Sequence, residues 1–169
     1  MFEIGSYILY GKRGVCRVDG IGHPSTNRNN DKVYYQLSPA FAGGNEKIFV
    51  PVDSPVPIRR TVDPDTANAC IEKVPEMHPT IFSSSKPVQL TEHYRQITDT
   101  YDPEAYLSLI KEVYLKRQYA DQHHRKLGLI DQRFLDFAEN IVCSEFAVAL
   151  KTDPEKIRSQ IHKQMEKLS

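Results

Sequence analysis

Two adjacent histidines, His123 and His124, are the residues a search for metal ligands meets first. Neighbouring side chains point to different sides of a helix, so the pair is poorly placed to share one ion. It reads as a solvated turn between helices rather than a metal site. Cys143-Ser144-Glu145 places a thiol, a hydroxyl and a carboxylate in sequence. The run lies inside an apolar helical stretch, with neither a strand-to-helix elbow nor a histidine close by to activate a nucleophile. Small residues packing at a helix contact explain it better. Gly11-x-x-Gly14 and Gly43-Gly44 lack the Lys-Ser/Thr ending of a phosphate loop and read as turns. No acid–base pair, nucleophile or ligand set survives this weighing, so the expectation is a non-enzyme without cofactor or metal.

Charge is more informative locally than globally. The chain carries 22 basic and 22 acidic side chains, which leaves no overall attraction to nucleic acid. Between residues 111 and 133, however, Lys111, Lys116, Arg117, Arg125, Lys126 and Arg133 stand against Glu112, Asp121 and Asp131. That net positive stretch lies in a half, 63–169, with 14 basic against 17 acidic residues. A phosphate-facing patch would look like this, and so would a solvated corner between helices.

The elements that must position these residues differ between the two halves. Up to about residue 62 the pattern is β. Tyr7–Tyr10, Val15–Ile21, Lys32–Leu37, Lys47–Val52 and Ile58–Val62 are strand candidates, separated by turns at Gly11–Gly14 and Gly43–Asn45 and a polar loop at Ser25–Asp31. Short strands at this spacing suggest a small twisted barrel. From Asp63 the signals are helical. Asp63-Pro64-Asp65, Asp102-Pro103-Glu104 and Asp153-Pro154-Glu155 each offer a capping aspartate, a proline at the first helical position and an acid near the positive end of the helix dipole. Thr152 and Glu155 add a possible capping box. Pro75–Pro87, with Pro79 and Ser83-Ser84-Ser85, reads as a linker. Helices are expected over 89–98, 103–120, 131–150 and 154–167. In the third of these, Phe134, Phe137, Ile141 and Val148 form the predicted buried face, with Ala138 and Val142 beside it.

The three cysteines, Cys16, Cys70 and Cys143, are far apart and form no C-x-x-C pair. They read as thiols in a reducing compartment. The first residues carry no basic stretch followed by an apolar run, and no apolar stretch is long enough to span a bilayer. A cytoplasmic protein is expected.

Several motifs fall in a recognisable order. They are Phe2-x-Ile4-Gly5-Ser6-Tyr7-Ile8-Leu9-Tyr10, then Gly14-Val15, Tyr34-Tyr35-Gln36-Leu37, Val50-Pro51-Val52 and Ile58-Arg59-Arg60-Thr61-Val62. Ser144-Glu145-Phe146-Ala147-Val148-Ala149-Leu150 follows in the helical half. With these motifs the chain resembles the CarD/CdnL family of bacterial RNA polymerase-binding regulators. The resemblance implies an α+β protein: a small Tudor-like β-barrel over 1–62, a helix and linker over 63–88, and an all-α domain over 89–169. It implies docking on the RNA polymerase β subunit by addition of a sheet edge, for which Lys47, Ile48, Phe49 and Val50 are the candidates. It also implies contact with promoter DNA at the upstream edge of the melted bubble, where Leu90, Arg95 and Arg133 fall at the family's positions, and the basic stretch read from charge adds Lys116, Arg117, Arg125 and Lys126. The chain departs from the family pattern in having no tryptophan to wedge into the minor groove. Leu90 or Thr91 falls at that position, Glu92, His93 and Gln132 replace basic residues, and Phe49 stands where a basic polymerase contact is expected. The implied protein is a monomeric initiation regulator with weak DNA binding of its own. The alternative is a polymerase adaptor that touches no DNA.

Overall fold

Clustered β-branched and aromatic residues alternate with turn residues along the first 62 positions, and among the described residues they form five strands. The structure, a computed structural model, describes residues 1–23, 32–41 and 45–167. The expected loop at 25–31 and the Gly43-Gly44 turn lie outside the described residues. Strands β1 (Tyr7–Tyr10), β2 (Gly14–Gly22), β3 (Tyr34–Pro39), β4 (Ile48–Pro51) and β5 (Ile58–Arg60) make one antiparallel sheet in the order β4-β3-β2-β1-β5. Side chains two apart face the same side. Cys16 and Val18, then Tyr35 and Leu37, therefore meet Ile8 and Val50 in the core of this unit. Gly11 opens the turn between β1 and β2 at φ +47°, and a Cβ there would stand 2.7 Å from Val56 Cγ1, so only glycine fits.

The expected closed barrel is not observed. Among the described residues, β4 and β5 are the two ends of an open sheet. Closure needs paired end strands with enough length and tilt, and β5 is three residues long. A register shift in the β2–β3 pairing between Val18 and Gly20 curls the sheet without joining its ends.

Residues 63–169 form a second compact unit. Its helices are α1 (Pro64–Lys73), α2 (Pro87–Thr98), α3 (Pro103–Gln122), α4 (Leu129–Leu150) and α5 (Pro154–Glu166). All three Asp-Pro-acid openings cap as the sequence predicts. Asp63, Asp102 and Asp153 accept from the amides of Thr66, Glu104 and Glu155. The capping residue of α5 is Asp153, so the Thr152 capping box is not used. The linker-like stretch before α2 does not separate domains. It runs within the helical unit, where Lys111 Nζ donates to the carbonyls of Val74 (2.6 Å) and Pro75 (3.0 Å) and the Phe82 amide donates to Glu112 (3.2 Å).

The buried face of α4 also differs from the expectation. Leu135, Ala138, Val142, Cys143 and Phe146 are buried deeply, and Ile141 is buried too. Phe134, Phe137 and Val148 are only half-buried. Apolar residues spread well beyond one stripe of the helix, opposite exposed Arg133, Asp136 and Asn140, so the innermost face is poorly defined in sequence. Packing against α1, α2, α3 and α5 decides which positions are innermost.

Candidate functional site

In the β unit the candidate site is the outer edge of β4. Strand β3 pairs with one side of it, with Tyr35 opposite Val50 and Gln36 opposite Phe49. Antiparallel pairs alternate between those that exchange hydrogen bonds and those that do not. The Val52 amide donates to the Val33 carbonyl at 3.0 Å, which sets the phase. Val50 and Ile48 therefore turn their amides and carbonyls toward β3, and Phe49 and Lys47 turn theirs outward. Pro51 shares the outward phase and loses no ladder bond by lacking an N–H. The side chains alternate as well. Val50 is 1% exposed and Phe49 51%.

The opposite end of the sheet is blunted. On β5 the outward backbone groups belong to Ile58 and Arg60, because the bonds from Gly11 to Pro57 and from Thr61 to Tyr7 set the alternate phase. The Arg59 guanidinium donates to the Arg60 carbonyl at 3.0 Å and so occupies an acceptor that an incoming strand would need. The β4 edge is the better template.

Lys47 is held beside that edge by Asp19 of β2. Its Nζ lies 3.1 Å from Asp19 Oδ2, and Arg17 Nε lies 2.7 Å from Asp19 Oδ1. Burial alone would raise the Asp19 carboxyl, but bonds from Ser38, Arg17 and Lys47 outweigh it and lower its pKa to about 2. A carboxylate with a depressed pKa stabilises the fold above its ordinary value near about 4, and that contribution is lost as pH falls toward the folded-state value. The melting temperatures of wild type and Asp19→Asn should therefore differ at neutral pH and converge as pH drops from about 4 to about 2. A constant gap across that window would show that Asp19 is not the titrating group.

In the helical unit the structure separates the sequence-predicted DNA residues. Leu90 is 8% exposed and packs inside, in one face with Tyr94 and Thr98 at spacings of four. Little of its surface is open to a base step. Lys116 is paired inside the unit as well. Its Nζ lies 3.0 Å from Asp131 and 3.0 Å from the Tyr94 hydroxyl, which itself donates to Asp131 at 2.5 Å. A lysine this enclosed neutralises a buried carboxylate. Burial and the adjacent Asp131 carboxylate raise the Tyr94 hydroxyl above its ordinary pKa, so it stays a donor. Arg117 is half-buried and bonded to Gln132. Arg125 and Lys126 are exposed in the α3–α4 connection, and Arg133 is exposed with its guanidinium 5.3 Å from the Phe134 ring. Arg95 is exposed on α2, 4.0 Å from Glu92.

Leu90, Lys116 and Lys126 do meet, but around a pocket of about 620 Å³. Tyr119 and Asp131 line the same pocket, and neither was singled out as a site residue from sequence. His93, which replaces a basic residue of the family pattern, stacks on Phe82 at 4.6 Å and sits 3.0 Å from the buried Glu112. Its role is to clasp α2 to α3. His123 stacks on Tyr119 at 4.0 Å, and His124 is exposed beside it. No cluster of three or more histidines, cysteines or acids gathers among the described residues. Cys143 is buried, which pushes its thiol up to about 12 and keeps it protonated at neutral pH. Among the described residues, no helix is long and apolar enough to cross a membrane.

Residues 2–62 match the family model of the CarD-like/TRCF RID domain. That segment is similar to CarD-like RID domains. Its match ends at Val62, where the β unit ends. The CarD-like RID domain is a non-catalytic, RNA polymerase-interacting domain of transcription-related proteins. A search of curated proteins finds no match to the chain.

Proposed function

We propose that this protein regulates transcription initiation by docking its CarD-like domain on the RNA polymerase β subunit and bringing its helical unit to promoter DNA near the upstream edge of the bubble. The observation that carries this reading is the edge of β4 over Lys47, Ile48, Phe49 and Val50, where Lys47 and Phe49 turn their backbone groups outward, in a unit that matches an RNA polymerase-interacting family. Main-chain hydrogen bonds from Phe49 and Lys47 would supply affinity, and the Phe49 ring and Lys47 charge would supply register. Of the sequence-predicted DNA residues, Arg95, Arg125, Lys126 and Arg133 are exposed and would meet phosphate. A protein that touches both partners shifts the lifetime of the melted state by its differential affinity for it. The protein would act in the cytoplasm as a monomer, without a cofactor.

A second reading, a polymerase adaptor that leaves DNA alone, is favoured by the enclosure of Leu90 and Lys116. One experiment on the full chain separates the two. The β subunit should be captured by wild type and lost by Lys47→Glu with Phe49→Glu. With polymerase present, wild type should also bind an upstream-fork probe. The slope of log affinity against log salt should fall by about one for each phosphate contact removed in Arg95→Ala with Arg133→Ala. Unchanged capture by the edge variant overturns the docking assignment. Polymerase capture without a fork complex leaves the adaptor.

A further inference from the structure

We infer that the pocket at the α3–α4 corner takes an unstacked nucleobase of single-stranded DNA, with Tyr119 as its stacking wall and Lys126 on its phosphate. The inference deepens the proposed DNA contact and rests on that reading.

The pocket measures about 620 Å³. Sites for small molecules span ~300–1,000 Å³, which leaves room for a base with its sugar. Leu90, Leu115, Ala120 and Leu127 give it apolar walls suited to the face of an aromatic ring. Tyr119 lines it while 58% exposed, and the His123 ring backs the Tyr119 ring at 4.0 Å. A supported, accessible aromatic ring is what single-strand binding surfaces use to stack a base, and it tolerates any base because each has a π-face. The exposed Ser83 hydroxyl adds a group able to meet a base edge.

Charge complementarity points to a nucleotide rather than an uncharged aromatic ligand. The one acid lining the pocket, Asp131, is neutralised by Lys116 and bonded by Tyr94. Lys126, by contrast, is exposed where it lines the pocket, and exposed Arg125, His123 and His124 precede it in the same connection. The lining thus pairs a neutralised interior acid with an exposed cation, Lys126. A polyanionic strand with one base turned inward satisfies both.

The test uses the full chain at low salt and a short thymine-rich single strand carrying one 2-aminopurine, whose emission reports unstacking and burial. Binding should change that emission. Tyr119→Ala should weaken binding about 5- to 150-fold, the range for one base–aromatic stack, and Tyr119→Phe should restore it. An abasic position in place of the 2-aminopurine should weaken wild-type binding to the same extent. Tyr119 is exposed, and an unchanged melting temperature confirms that the alanine variant is folded. A strand bound equally well with an abasic position and by Tyr119→Ala overturns the pocket assignment while leaving DNA contact standing. A deoxynucleoside monophosphate that binds as tightly as the strand overturns the assignment to single-stranded DNA. No binding of the strand, with or without polymerase, removes the DNA reading and this inference together.

Discussion

Phe49→Pro should weaken β-subunit binding by about 10- to 100-fold while leaving the sheet folded. Phe49 lies on the outward phase of β4, where its N–H makes no ladder bond to β3. Proline at such a position costs the sheet little, and Pro51 already occupies the next outward position of the same strand. An added strand, however, would lose a donor, and its own carbonyl would be buried without a partner at a cost of ~1–3 kcal/mol. The Phe49 ring contact is lost as well. Val50→Pro is the control. Val50 is 1% exposed and faces β3, so proline there removes an internal ladder bond and should unfold the unit. The measurement is calorimetric titration of the β subunit beside thermal melting of each variant. Wild-type affinity in a folded Phe49→Pro protein would place the docking surface elsewhere.

The largest loss of stability should come from Phe146→Ala. Phe146 is fully buried on α4, the helix that packs against α1, α2, α3 and α5. Removing a buried phenylalanine typically costs ~3–5 kcal/mol, because the transfer energy is lost and the cavity closes only in part. For a unit of about a hundred residues this lowers the melting temperature by on the order of 15–25 °C. Phe137 is half-buried, with its ring 6.2 Å from that of Tyr106, so Phe137→Ala should cost about half as much or less. Melting curves of the two variants rank them directly. An equal or larger loss for Phe137→Ala would mean that the sequence-predicted face of α4 is the inner one.

That reassignment within α4 shows what kind of information the chain holds locally. Element type, order and starts were legible, because they depend on neighbours in sequence. Alternation set the strands, and an aspartate followed by proline set the starts of α1, α3 and α5. The outward phase of Phe49 was half legible. Period two puts Lys47 and Phe49 on one face, but which backbone groups point away from β3 depends on its pairing. The position of Lys47 beside Asp19 was also hidden, although Arg17 and Asp19 share a face of β2 by the same period.

On α2, the spacing of Leu90, Tyr94 and Thr98 already describes a buried stripe. The family resemblance drew Leu90 to the surface, and packing put it back inside. Lys116 and Asp131 are fifteen residues apart and belong to different helices, and no local pattern links them. Their approach requires α3 and α4 to pack side by side. That packing turns one cation of the basic stretch into a structural group and leaves Arg125, Lys126 and Arg133 exposed. Local rules thus determined the two-part architecture and most element boundaries. The tertiary structure alone decided which charges remain available, because burial and pairing are properties of contacts between segments distant in the chain.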